Sequence, residues 1–157
     1  HSTVFTLSDE VVNSGIIHGM DFTFNVPINC TVLGNEGLLN SVLQNLVKNS
    51  AAYSQGTEMG IELLGKNDRY LTFSFYDNGC GVSEEHLPHL FDRFYRVDSG
   101  RSRKAGGTGL GLPIVKSSII TMGGSITVRN RKGGGLEFIF TLPCPRPSKQ
   151  QSDPGPA

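Results

Sequence analysis

Neither sign of charge is in excess in this chain: 14 Lys and Arg stand against 14 Asp and Glu, a formal net charge of +0. Such a balance argues against a broad nucleic-acid surface, which needs a basic field. Cysteine is scarce. Cys30, Cys80 and Cys144 are odd in number and widely spaced, with no C-x-x-C between them. That argues against a disulfide scaffold or a zinc site and fits a reducing compartment. No apolar run is long enough to span a bilayer, and no signal peptide is present. Nor is there a G-x-x-x-x-G-K-[ST] phosphate loop anywhere. What remains is a chain of 157 residues, 37% hydrophobic and 18% charged, enough for one globular domain with a real core. It begins at His1 rather than Met. The expectation is therefore a piece of a longer protein, and the absence of a membrane segment here does not speak for the parent.

Glycine, by contrast, is abundant: twenty residues, and they cluster, as in functional loops. Between the clusters the pattern reads as alternating strands and helices. Residues 4–7 read as a short strand, and Ser8-Asp9-Glu10 as the cap of a short helix to about His18. Residues 21–27 alternate and end in Pro, as a strand does. From Glu36 to Tyr53, Leu39, Val42, Leu43, Leu46 and Ser50 recur at helical spacing. Residues 59–66 and 69–77 read as a hairpin turning at Asn67-Asp68. Ser83-Glu84-Glu85 is expected to cap a short helix towards Leu90, and residues 95–107 read as a mobile loop. A helix is expected from Thr108 to Met122, with Pro113 tolerated in its first turn and Gly123-Gly124 as its stop. Residues 125–130 and 135–143 read as a last hairpin. The segment 144–157 is rich in Pro, Ser and Gln and is expected to be disordered. Strands on both sides of the long helix imply an α/β sandwich, with one sheet and helices on one face.

Three segments carry candidate chemistry. Asn45 and Asn49 lie one helical turn apart, so their carboxamides share a face and can offer oxygens to a hard cation and its waters. Taken alone, such a pair reads equally as solvated helix surface. DNGCG (77–81) sits at a strand end, where a carboxylate followed by glycines suits recognition of a flat base. As an isolated motif it is also an ordinary strand-exit turn. GGTGLGL (106–112) opens a helix, where free N–H groups and the helix dipole favour phosphate. Its spacing and the basic loop before it differ from the dinucleotide-binding fingerprint, and no βαβ unit is visible. Arg96, Arg101, Arg103 and Lys104 precede it and serve either as phosphate neutralisers or as a solvated face. The four histidines show no metal spacing, and none has an evident Ser or Cys partner.

In order, Asn-x-x-x-Asn, D-x-G-x-G, FDRFYR (91–96) and GTGLGL resemble the catalytic ATP-binding domain of sensor histidine kinases. That domain belongs to the superfamily shared with DNA gyrase, the Hsp90 chaperones and MutL. The resemblance covers about residues 4–143, so the domain is expected to span 1–143, with 144–157 as a disordered Pro-rich tail or linker. It implies a two-layer sandwich: a mixed sheet of about five strands with three helices over one face. NLVKNSAAY is similar to the family's N-box. Asn49 would then be the Mg²⁺ ligand, with Asn45 beside the phosphates and metal waters and Tyr53 near the nucleotide. Asp77 would hold the adenine amine, with Gly79 and Gly81 giving close backbone approach. FDRFYR would lead into an ATP lid at about 96–107. Arg101 and Lys104 would meet the phosphates, and Gly107, Thr108, Gly109, Leu110 and Gly111 would wrap them. Two positions depart from the pattern. The basic residue usual three places after the second asparagine is Ala52, so a phosphate contact is missing or comes from Lys48 or the lid. Pro113 stands where a small residue is usual, which a first helical turn tolerates.

The resemblance implies phosphoryl transfer from Mg-ATP to a histidine. In the ATPase branch of the superfamily a Glu at the first N-box position activates water. Here that position is Asn45, and a carboxamide is a poor general base. The acceptor box, His followed at once by an acidic residue, is absent: His1, His18, His86 and His89 precede Ser, Gly, Leu and Leu. The expected partners are thus a phosphoacceptor domain of the same parent and a response-regulator receiver domain. The fragment is expected to be monomeric and cytoplasmic, and the resemblance leaves an inner-membrane sensor open as the parent. Two alternatives share the fold: a serine/threonine kinase of the anti-sigma-factor type, and a nucleotide-sensing scaffold that no longer transfers phosphate.

Overall fold

The computed structural model describes residues 3–6, 20–27, 29–95 and 111–145. Its strands are β1 (Thr3–Thr6), β2 (Asp21–Asn25), β3 (Thr31–Gly34), β4 (Glu58–Lys66), β5 (Tyr70–Asp77), β6 (Ile126–Asn130) and β7 (Leu136–Pro143). The helices are α1 (Glu36–Tyr53) and α2 (Gly111–Thr121), with a 3-10 helix at Glu84–His89. β2, β4, β5, β7 and β6 form one sheet in that order. β2 and β4 run parallel and the other pairs antiparallel, so the sheet is mixed, as expected. The helix expected at 8–18 lies outside the described residues.

Period-two patterning decides which face is covered. The row Ile61, Phe75, Phe138 and Val128 lies across four strands, and beside it runs Leu63, Phe73, Phe140 and Ile126. Phe73 and Phe140 stack with centroids 5.3 Å apart. Onto this face α1 sets Leu39, Val42, Leu43, Leu46 and Val47, all buried in one core with Val115 and Ile119 of α2. The i, i+3, i+4, i+7 spacing makes that stripe continuous. Asn35 caps α1, its Oδ1 accepting from the Leu38 N–H at 3.0 Å, and Glu36 complements the helix dipole in the first turn. α2 stops where Gly123-Gly124 predicts. Gly124 N–H donates to the Ile119 carbonyl and Gly123 N–H to that of Ile120, with Gly123 at φ +91. These are the paired bonds of a Schellman stop.

Four expectations change. β1 falls at 3–6 rather than 4–7 and pairs with β3, a four-residue strand that the sequence reading left unassigned. β2 and β4, joined through β3 and α1, form a parallel crossover although no βαβ unit was visible in sequence. The hidden member was β2, whose pattern of exposed and half-buried residues is that of an edge. The short helix after Ser83 is of 3-10 form, holds Pro88 inside it, and lacks the expected Ser83 side-chain cap. Pro removes an α-type N–H, which favours the short tight form. Finally, Cys144, the first residue of the expected tail, is buried and donates its N–H to the Arg69 carbonyl at 2.8 Å.

Candidate nucleotide-binding site

Asp77, last residue of β5, is the centre of the site. Its register partner on β4 is Met59, so its side chain points to the helix-covered face. The residue is 2% exposed. A buried carboxylate needs donors, and it has three. Ser50 Oγ of α1 donates to Oδ2 at 2.9 Å, while the N–H groups of Gly79 and Leu136 donate to Oδ1 at 3.0 and 3.2 Å. Ser50, the one polar member of the apolar stripe on α1, thus fixes the helix to the carboxylate. The donors come from α1, from the β5 exit and from β7.

The loop after Asp77 is locked on both sides. Cys80 N–H donates to the Ser54 carbonyl at 2.7 Å, at the C-cap of α1. Asn78 Oδ1 accepts from the N–H groups of Thr57 and Glu58 at 2.8 and 2.9 Å. Gly79 packs against Ser54 so closely that a Cβ would stand 2.5 Å from the serine Cβ. Gly81 takes φ +65, a conformation that suits glycine. On the other wall Gly135, at φ +98, presses on Asp77: a Cβ there would collide with its carbonyl oxygen and stand 2.6 Å from Oδ1. Asn49, Ser54, Asp77, Gly81, Val82 and Leu136 together line a recess of about 30 Å³. A larger hollow of about 460 Å³ lies at the β6–β7 hairpin. There Arg129 and Glu137 are paired at 2.9 Å, and Arg131 lies over the Tyr76 ring at 4.2 Å.

The N-box asparagines differ in their surroundings. Asn45 Nδ2 donates back along the helix to the Ser41 carbonyl at 2.8 Å. Its Oδ1 is left facing Gly111, where a Cβ would lie 3.2 Å from it. The first residue of α2 therefore sits beside the first asparagine. Asn49 is half-buried on the recess wall, and Lys48 and Ala52 are exposed. The fold thus brings Asn49, Asp77, Gly79 and Gly81 together and, one helical turn before Asn49, sets Asn45 beside Gly111. Arg101, Lys104, Gly107, Thr108, Gly109 and Leu110 lie outside the described residues, as does the side chain of Tyr53. Of FDRFYR, Phe91 packs edge-on against Phe138 at 6.2 Å, which ties that motif to the sheet.

Sequence reasoning missed Ser50 as a site residue, along with Ser54, Val82, Gly135 and Leu136. Only Ser50 carried a signal, a hydroxyl on an otherwise apolar stripe. For Mg²⁺ the chemistry of the donors fits: two neutral carboxamides one turn apart suit a hard ion that keeps its waters and takes its other ligands from phosphate. No cluster of three or more His, Cys, Asp or Glu stands ready to hold a metal among the described residues.

A sheet backed by helices, with a buried strand-end carboxylate sharing a recess with the second residue of an Asn pair, is the layout of a nucleotide-binding ATPase sandwich. The family of histidine kinase-, DNA gyrase B- and HSP90-like ATPases matches residues 34–146, and the chain belongs to it. Within that family its relatives are sensor histidine kinases. It is 36% identical over 121 residues to the phosphate regulon sensor protein PhoR of Haemophilus influenzae, covering 76% of this chain and 28% of that one. It is 39% identical over 125 residues to the sensor-like histidine kinase SenX3 of Mycolicibacterium smegmatis, covering 79% and 32%. The catalytic domain of histidine kinase ThkA superposes with a TM-score of 0.72 at 26% identity, over 91% of this chain and 97% of that domain. The fold is likewise that of the mycobacterial sensor histidine kinase MprB, TM-score 0.73 at 24% identity, over 91% and 97%. The chain spans about a third or less of the length of these curated relatives. No helix among the described residues is long and apolar enough to cross a membrane.

Proposed function

We propose that this domain binds Mg-ATP and donates the γ-phosphoryl group to a histidine on a separate dimerisation and phosphoacceptor domain, in two-component signalling. The observation that carries this reading is Asp77: a buried carboxylate oriented by Ser50, Gly79 and Leu136, at the wall that also holds Asn49. Asp77 accepts from the exocyclic amine of adenine, and Gly79 and Gly81 let the backbone lie close to the base. Asn49, with Asn45 one turn before it, would hold Mg²⁺. The metal would neutralise charge on the phosphates. Gly107 to Gly111, with Arg101 and Lys104, cradle the same phosphates at the N-terminus of α2.

Asn45 sets the outcome of bound ATP. Its amide already donates to Ser41, and a neutral carboxamide oxygen takes no proton from water near neutral pH. Hydrolysis is therefore slow, and the phosphoryl group is kept for a protein nucleophile. The partners are the parent's phosphoacceptor domain and, through it, a receiver domain. The fragment is a cytoplasmic monomer, and no His in it carries the acceptor pattern. The test is nucleotide titration by calorimetry with and without Mg²⁺, followed by steady-state phosphate release. Saturable ATP and ADP binding with little release is expected. Absence of binding at millimolar nucleotide favours a scaffold, and brisk release refutes the role given to Asn45.

A further inference from the structure

Asn130 belongs to none of the motifs above, yet it touches the site loop. It is the last residue of β6, and along that strand it falls on the helix-covered side with Val128 and Ile126. Its side chain reaches the segment after the glycines. Oδ1 accepts from the Val82 N–H at 3.0 Å, and Nδ2 donates to the Val82 carbonyl at 2.7 Å. A third contact runs from Nδ2 to the Glu84 carboxylate at 3.3 Å. One carboxamide thus answers both backbone groups of one residue, as a neighbouring strand would. Those groups lie 48 residues away in sequence and have no sheet partner of their own.

The position of this clamp gives it a role. Residues 78–80 are held from the α1 side, by Ser54 and by the backbone of Thr57 and Glu58. Gly81 turns at φ +65, and a Cβ there would stand 2.5 Å from Asn130 Oδ1. Past that turn the chain is pinned by Asn130. Gly81 and Val82 form the recess wall that Asn49 and Asp77 share. Without the clamp the Val82 N–H and C=O turn to water, and the wall loses the anchor that fixes its distance from Asp77.

We infer that Asn130 is a positioning residue for the base end of the nucleotide site: it holds Gly81 and Val82 where they can flank adenine. The inference rests on the nucleotide reading above and deepens it. Asn130→Ala removes both bonds. Asn130→Asp keeps the acceptor for Val82 N–H, loses the donor, and sets a carboxylate against the Val82 carbonyl and Glu84. Affinities for ATP, adenosine and Mg-tripolyphosphate are measured by calorimetry, and folding by thermal melting and the amide spectrum. Both variants are expected to bind ATP and adenosine about tenfold more weakly, with tripolyphosphate unchanged. In the amide spectrum Gly81 and Val82 shift, and Asn49 stays. Equal loss for all three ligands, tracking a lowered melting temperature, overturns the inference in favour of a general folding role. So does unchanged adenosine affinity in a folded variant. Failure of the wild-type chain to bind ATP refutes the nucleotide reading itself, and the inference with it. If Asn130→Ala does not fold, Asn130→Asp is read on the same terms.

Discussion

Replacing Asp77 by Asn should separate binding from folding, because the two functions of this carboxylate make incompatible demands on an amide. Volume is conserved, so no cavity opens. In the folded protein Oδ1 takes two backbone N–H groups and Oδ2 takes the Ser50 hydroxyl. An amide can keep its oxygen towards Gly79 and Leu136 and turn its NH₂ to Ser50, whose hydroxyl oxygen then accepts. All three contacts survive, but each loses the assistance of a charge. The folding cost is on the order of 1–3 kcal/mol, or roughly 2–4 °C of melting temperature for each kcal/mol in a chain of this size. In that orientation the NH₂ meets the amine of adenine donor to donor. Turning the amide round restores an acceptor for the base but sets NH₂ against the Gly79 and Leu136 N–H groups. Either way a buried donor is left unmatched, so ATP affinity should fall between about tenfold and a hundredfold. Calorimetric titration of the variant, beside a melting curve, checks both numbers. A folded variant that binds ATP within about twofold of the wild type would refute Asp77 as the base acceptor.

Gly135→Ala and Gly133→Ala form a second pair. Both glycines have positive φ, +98 and +96, so both variants bear backbone strain on the order of 1–3 kcal/mol. Only Gly135 faces Asp77, and a Cβ at Gly133 meets nothing within 4 Å. Gly133→Ala should therefore bind ATP normally and Gly135→Ala should not; equal binding by the two refutes the packing argument. A third prediction concerns acid stability. Burial works to raise the Glu137 carboxyl, but hydrogen bonds from Ser74 and Arg129 and the charges of Arg129 and Arg131 outweigh it, leaving its pKa below its ordinary value of 4.5. A depressed folded-state pKa contributes stability that is fully present above about pH 4.5 and is lost as pH falls through the lower, folded value. Glu137→Gln should flatten that part of the curve, read as urea midpoints between about pH 6 and pH 3. Parallel curves for variant and wild type would disprove it.

Much of the fold was legible because its signals are local. The stripe Leu39, Val42, Leu43, Leu46 needs only the 3.6-residue period, and the β4–β5 turn is written in Asn67, whose Oδ1 takes the N–H groups of Arg69 and Tyr70 at 2.8 Å each. β3 was not legible: four residues, alternating half-buried and buried, carry too little pattern. The short helix after Ser83 was legible, but its 3-10 form, which Pro88 favours, and the absence of a Ser83 side-chain cap were not.

By itself, then, the sequence determined the class of protein: the order of Asn pair, strand-end Asp and helix-opening glycines, and one long amphipathic helix to carry the pair. The tertiary structure decided what those residues do to each other. Ser50, Asp77 and Leu136 are 27 and 59 residues apart, and they meet only because β5 lies between β4 and β7 in the sheet with α1 across it. Asn130 reaches Val82 for the same reason, β6 being the edge strand next to β7. Periodicity records which face of an element is apolar. It does not record which element lies beside which, and the hydrogen bonds that orient the site depend on that neighbourhood.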